Sequence, residues 1–98
     1  MKTRLTPEAE QDVDDAISWY DQKGSTLGDE FLKYLNKCIQ SIERHPEMYP
    51  RIYRRMRRAL LETFPYQVLY EIDPKEIVVY AVYHCARNPE GWKKRLPV

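Results

Sequence analysis

Near the carboxyl end the chain reads HCARNPEGW, residues 84–92, and then KKRLPV. A histidine, an arginine and a tryptophan stand close together there. An unperturbed imidazole changes charge near neutrality, so a histidine such as His84 could give or take a proton in RNA cleavage. Arg87 lies three residues on and could steady an anionic phosphorane. Trp92 could stack on a base or plug a groove, and Lys93, Lys94 and Arg95 add charge. Each also has a plain structural use: His84 can hydrogen-bond at a strand end, and Trp92 can pin the tail to the core.

A second group of cations precedes it. Arg51, Arg54, Arg55, Arg57 and Arg58 cluster around the start of a strand. The planar guanidinium fork donates two parallel hydrogen bonds, which suits phosphate and carboxylate alike. Side chains alternate along a strand, so Arg57 and Arg58 must point to opposite faces of the sheet. The bland alternative is an edge strand kept from pairing by its charge.

Positive charge is concentrated in the back of the chain. Residues 1–50 hold 6 Lys and Arg against 10 Asp and Glu, a balance of −4; residues 51–98 hold 10 against 5, a balance of +5. An anionic partner would therefore meet the back half. Cys38, His45, His84 and Cys85 match no metal-ligand spacing, so no metal or cofactor is expected. The acidic residues Glu10, Asp12, Asp14 and Asp15 read as a solvated helix surface. Both cysteines read as reduced thiols. With 98 residues, 43% apolar and 32% charged, the composition indicates a single cytoplasmic globular domain, with neither a membrane-spanning run nor a leader.

The elements that must hold these residues follow from pattern. KTRLT, residues 2–6, reads as a short strand. Thr6 and Pro7 then start a helix whose stripe is Ala9, Val13, Ala16, Ile17 and Tyr20, stopped at Gly24. Thr26 and Asp29 resemble a capping box for a second helix. That helix buries Leu27, Phe31, Leu35, Cys38, Ile39 and Ile42 and ends before Pro46. HPEMYPRIYRR reads as a loop. MRRALLETF, YQVLYEI and EIVVYAVYH read as three strands of an antiparallel meander. The expected fold is thus α+β, in the order β-α-α-β-β-β, with a helix hairpin on one face of a mainly antiparallel four-stranded sheet. The other face is also apolar, and either it invites a partner or the 46–55 loop and the tail cover it.

MRRALLETFPYQVLYEI, followed by IVVYAVYHCARNPEGW, resembles the RelE/ParE superfamily of toxins from type II toxin–antitoxin systems, often labelled plasmid stabilisation proteins. TPEAEQDVDDAISWY and LGDEFLKYLNKCIQSIERHPEMYP resemble its helix hairpin. The resemblance implies a cognate antitoxin whose C-terminal segment wraps the toxin. It implies one of two targets. RelE-like members cut messenger RNA on the ribosome, and here His84, Arg57, Arg58 and Arg87 would carry that metal-independent chemistry. ParE-like members bind and poison DNA gyrase without chemistry of their own. The target- or antitoxin-binding residues would then be Arg54, Arg55, Arg57, Arg58, His84, Arg87, Trp92 and Arg95. A third possibility is a non-toxic relative that only binds an antitoxin-like partner. The ParE-like branch is favoured: a net charge of +1 is low for docking on ribosomal RNA, and no tyrosine follows Tyr83.

Overall fold

Helix α1, Pro7–Lys23, begins as its sequence dictates. Thr6 is extended, and its Oγ1 accepts the Ala9 N–H at 3.1 Å. In this computed structural model, which describes residues 1–97, α1 follows strand β1, Lys2–Leu5, and leads to α2, Leu27–Arg44. The rest is β2, Arg51–Tyr53; β3, Met56–Leu60; β4, Tyr66–Ile72; β5, Glu76–His84; and a short helix α3, Glu90–Lys93. The two long helices meet the sheet through Ala9, Ala16, Phe31, Leu35 and Ile42, which pack on Val68, Tyr70, Ile77, Val79 and Val82. Tyr20, Phe31, Phe64 and Tyr66 close one end of that core as an edge-to-face aromatic cluster.

The fold is α+β with the helix hairpin on one sheet face, and four features depart from the pattern-based expectation. First, the sheet has five strands, in the order β1-β5-β4-β3-β2, with β1 parallel to β5 and the other pairs antiparallel. The extra strand, β2, sits in the segment read as a loop. Only three residues long and flanked by prolines, it carries no alternation to detect. Second, β3 stops at Leu60. Residues 61–65 turn sharply instead: the Phe64 N–H donates to Glu62 O and the Tyr66 N–H to Phe64 O. Thr63 stands at the centre of the first turn with φ 71°.

Third, α1 does stop at Gly24, but the junction between the helices forms without a left-handed glycine cap and without a capping box. Gly24 is extended (φ −175°), not left-handed, and Thr26 makes no side-chain cap bond. Fourth, β5 does not alternate strictly. Leu69 pairs with Ala81 but Tyr70 pairs with Val79, leaving Tyr80 as a bulge residue. Ile77, Val79 and Val82 therefore face the long helices, whereas Ala81 and Tyr83 face away.

That away face is largely covered. Trp92 and Leu96 lie on Met56, Leu69, Ala81 and Tyr83, with Ile52 and Tyr53 of β2 packed alongside. The tail and the 46–55 segment thus do the covering, and the apolar face is a second small core. Leu60, 60% exposed, belongs to neither core.

Candidate functional site

The turn after β5 is built by its own backbone. Cys85 N–H donates to Pro65 O, and Arg87 N–H donates back to His84 O. Asn88 Oδ1 accepts the Glu90 N–H at 3.0 Å, which starts α3. Gly91 then passes so close to Tyr83 that a Cβ there would lie 2.0 Å from the phenol oxygen, so only glycine lets α3 sit down on β5. This close approach delivers Trp92 to the second core and Lys93 to its rim.

One pocket gathers the cations. It has a volume of about 320 Å³ and is lined by Arg58 of β3, Gln67 of β4, Cys85 and Arg87 of the turn, and Tyr53 and Lys93 on the far wall. Arg58 resolves the alternation question for its strand: it pairs opposite Leu69 and so lies on the face that α3 covers. Arg87 lies with its guanidinium 4.3 Å from the Tyr83 ring centre. Lys93 lies 4.7 Å from the Tyr53 ring centre and 3.5 Å from the Glu90 carboxylate. Arg58 and Arg87 are exposed and have no carboxylate partner among the described residues. Such an arrangement can hold an anion by charge-assisted hydrogen bonds.

His84 lies elsewhere. Its ring meets Tyr66 edge-on at 5.2 Å, on the side of the long helices, and lines a separate groove of about 220 Å³ with Asp12, Asp15, Trp19 and Arg87. Arg87 alone borders both hollows. The imidazole is also committed: its Nδ1 accepts the Ala86 N–H at 3.0 Å. A neutral ring that accepts at Nδ1 carries its proton on Nε2, so it can donate there but has no free nitrogen with which to abstract a proton.

The remaining sequence-derived residues are dispersed. Arg57 faces the long helices and donates to Tyr49 O at 2.7 Å and Glu47 O at 3.1 Å, tying down the segment before β2. Arg55 donates to Ile72 O at 2.8 Å. Arg54 occupies the β2–β3 turn at φ 54° with its guanidinium 5.0 Å from the Tyr53 ring centre. Trp92 is 3% exposed, so it is a core residue and no stacking platform; its Nε1–H has no partner among the described residues. Arg95 is held by Asp12 through contacts of 2.6 and 3.0 Å and also donates to Tyr80 O. That carboxylate raises the guanidinium's already high pKa.

Asp12 is correspondingly no part of a solvated acidic surface: its side chain is only 9% exposed. Nothing in the run of acids around it marks it out. Gln67 did leave a signal, as the lone amide in the apolar strand YQVLYEI, and it is 8% exposed at the floor of the cationic pocket. Among the described residues, no group of three His, Cys, Asp or Glu side chains is placed to hold a metal ion. Nor is any helix long and apolar enough to cross a membrane.

Residues 3–89 match the family described as ParE toxin of the type II toxin–antitoxin system, parDE. The chain belongs to the ParE toxin family. A solved structure titled as the chromosomal ParDE toxin–antitoxin system from P. aeruginosa shares the fold, with a TM-score of 0.58 at 22% identity over 86% of this chain and 95% of that one. No curated protein matches the sequence. Membership agrees with the order of elements, and the ParE-family fold here carries its cationic pocket at the junction of β3, β4 and the post-β5 turn.

Proposed function

We propose that this ParE-family toxin arrests growth by binding an essential target, DNA gyrase, and that its working surface is the pocket formed by Arg58, Arg87 and Lys93. The protein acts in the cytoplasm as a single domain. A cognate antitoxin neutralises it by laying an acidic C-terminal segment over the same cations, since opposite charges steer and register such a contact.

The observation that carries this reading is a separation. An RNA-cleaving site needs an acid–base group and phosphate-holding arginines around one scissile bond. Here His84 and Arg58 point to opposite faces of the sheet, and the His84 Nδ1 already accepts a backbone N–H. Arg57 is spent on backbone carbonyls. The parts of a binding surface are together; the parts of a nuclease are apart.

The test is the supercoiling of relaxed plasmid by purified gyrase. Added toxin should inhibit it, and the cognate antitoxin should restore it. Unimpaired supercoiling at a large excess of folded toxin would remove gyrase as the target.

A further inference from the structure

The cationic pocket sits on three elements remote in sequence: β3 supplies Arg58, the post-β5 turn supplies Arg87, and α3 supplies Lys93. At about 320 Å³ it falls at the low end of sites that take small organic groups, roughly 300–1,000 Å³. Among the described residues, and apart from Glu90, which meets Lys93 at its exposed tip, no acid approaches these cations within ion-pair distance. The Gln67 amide adds a neutral donor at the floor. Two unpaired guanidinium forks and an ammonium around one hollow match a group with several ionised oxygens.

What the pocket lacks narrows the ligand further. Recognition of single-stranded nucleic acid draws on aromatic faces that stack with bases. Here Trp92 is 3% exposed, and the Tyr53 ring is flanked by Lys93 and Arg54 and by the edge-on Trp92 indole. Trp19 is exposed, but it lines the other groove and carries the Lys23 ammonium at 4.3 Å. The pocket offers charge without a surface for reading bases.

We propose that Arg58, Arg87 and Lys93 hold two to three adjacent backbone phosphates of duplex DNA, without regard to sequence. This rests on the gyrase reading and deepens it: the toxin would meet its target on DNA and touch both.

The test is fluorescence anisotropy of the purified toxin with labelled 20-base-pair duplexes of two unrelated sequences, titrated at several salt concentrations. Two to three phosphate contacts predict a log–log salt slope of about −2 to −3, or a roughly 10- to 40-fold loss of affinity between 50 and 200 mM salt. Both sequences should bind alike. An R58Q/R87Q variant should lose about 2 from the slope, with its circular dichroism and urea midpoint unchanged to show that it folds. Lack of duplex binding at 50 mM salt would overturn the proposal, as would an unaltered slope in the variant. A pocket that takes a polyglutamate peptide but no duplex would overturn it in favour of an acidic protein ligand. The supercoiling assay separates the two layers. Gyrase inhibition without DNA binding sinks this inference alone; DNA binding without gyrase inhibition sinks the choice of target.

Discussion

Asp12 and Arg95 stand 83 positions apart in the chain and together finish an edge that β1 leaves open. The β1 strand pairs with β5 only as far as Val79, because the chain leaves at Thr6 to start α1. Beyond that point Asp12 Oδ2 accepts the Val82 N–H at 3.0 Å, and Arg95 Nη1 donates to Tyr80 O at 3.1 Å. The two side chains satisfy backbone groups that a neighbouring strand would otherwise satisfy. They also fasten the tail that carries Trp92 and Lys93, so the clasp positions the pocket from a distance.

Breaking the clasp from either side should therefore destabilise the fold. D12N leaves the guanidinium without its anion, and R95M leaves the carboxylate without its main partner. Each should cost about 2–4 kcal/mol, because the survivor is a largely buried, unpaired charge. Urea unfolding of each variant and of the D12N/R95M pair measures it. A double variant that loses the sum of the two single losses would mean that the residues do not act as a pair.

Gly91 gives a sharper probe of how the tail seats. In G91A the new methyl would collide with the Tyr83 hydroxyl, lifting α3 and exposing Trp92. The emission of Trp92 should shift to the red, against a constant background from Trp19, which is already 53% exposed. Removing the hydroxyl in Y83F/G91A should restore the blue emission. A G91A spectrum identical to that of the parent would refute the close seat.

Much of this architecture is legible in the sequence. The stripe through Phe31, Leu35 and Ile42 has the helical period and indeed faces the core. YQVLYEI and EIVVYAVYH are strands as their composition demands. The site is less legible. Alternation says that Arg57 and Arg58 diverge but not which goes where, because the face is fixed by pairing with β4. The bulge at Tyr80 shifts the alternation by one and places His84 with Val82 on the helix side. The engagement of Arg95 depends on a residue at the far end of the chain, which no local pattern contains.

The tight turn between β3 and β4 is strained at Thr63. A β-branched residue at φ 71° is rare and costs on the order of 1–3 kcal/mol. Glycine adopts that backbone freely but loses more entropy on folding. T63G should thus raise stability by up to about 1 kcal/mol, read as a higher urea midpoint with the slope unchanged. A lower midpoint would mean that the threonine side chain contributes more than the backbone strain removes.

Alkaline pH should loosen the core in a defined window. Burial pushes the Tyr70 phenol from 10.0 up to about 12, against a smaller opposing pull from Arg57, and its hydroxyl donates to Pro46 O. Burial likewise pushes the Cys38 thiol from 9.0 up to about 11. Both groups hold their protons more tightly when folded. Their stabilisation is complete below pH 9 and is lost as pH rises towards 11 for Cys38 and from 10 to 12 for Tyr70. Y70F should be less stable at neutral pH by about 1 kcal/mol, since Pro46 O loses a donor, and should show a shallower decline between pH 10 and 12. An unchanged alkaline slope would place Tyr70 in water.

Action by binding, without chemistry of the toxin's own, is tested most sharply in cells shortly after induction. Transcript ends and chromosomal breaks are mapped side by side for the parent toxin and for H84A. Action by binding predicts DNA breaks with transcripts intact, and the same result for H84A. Transcripts cut at ribosome-bound codons, with the cutting abolished in a folded H84A, would contradict it.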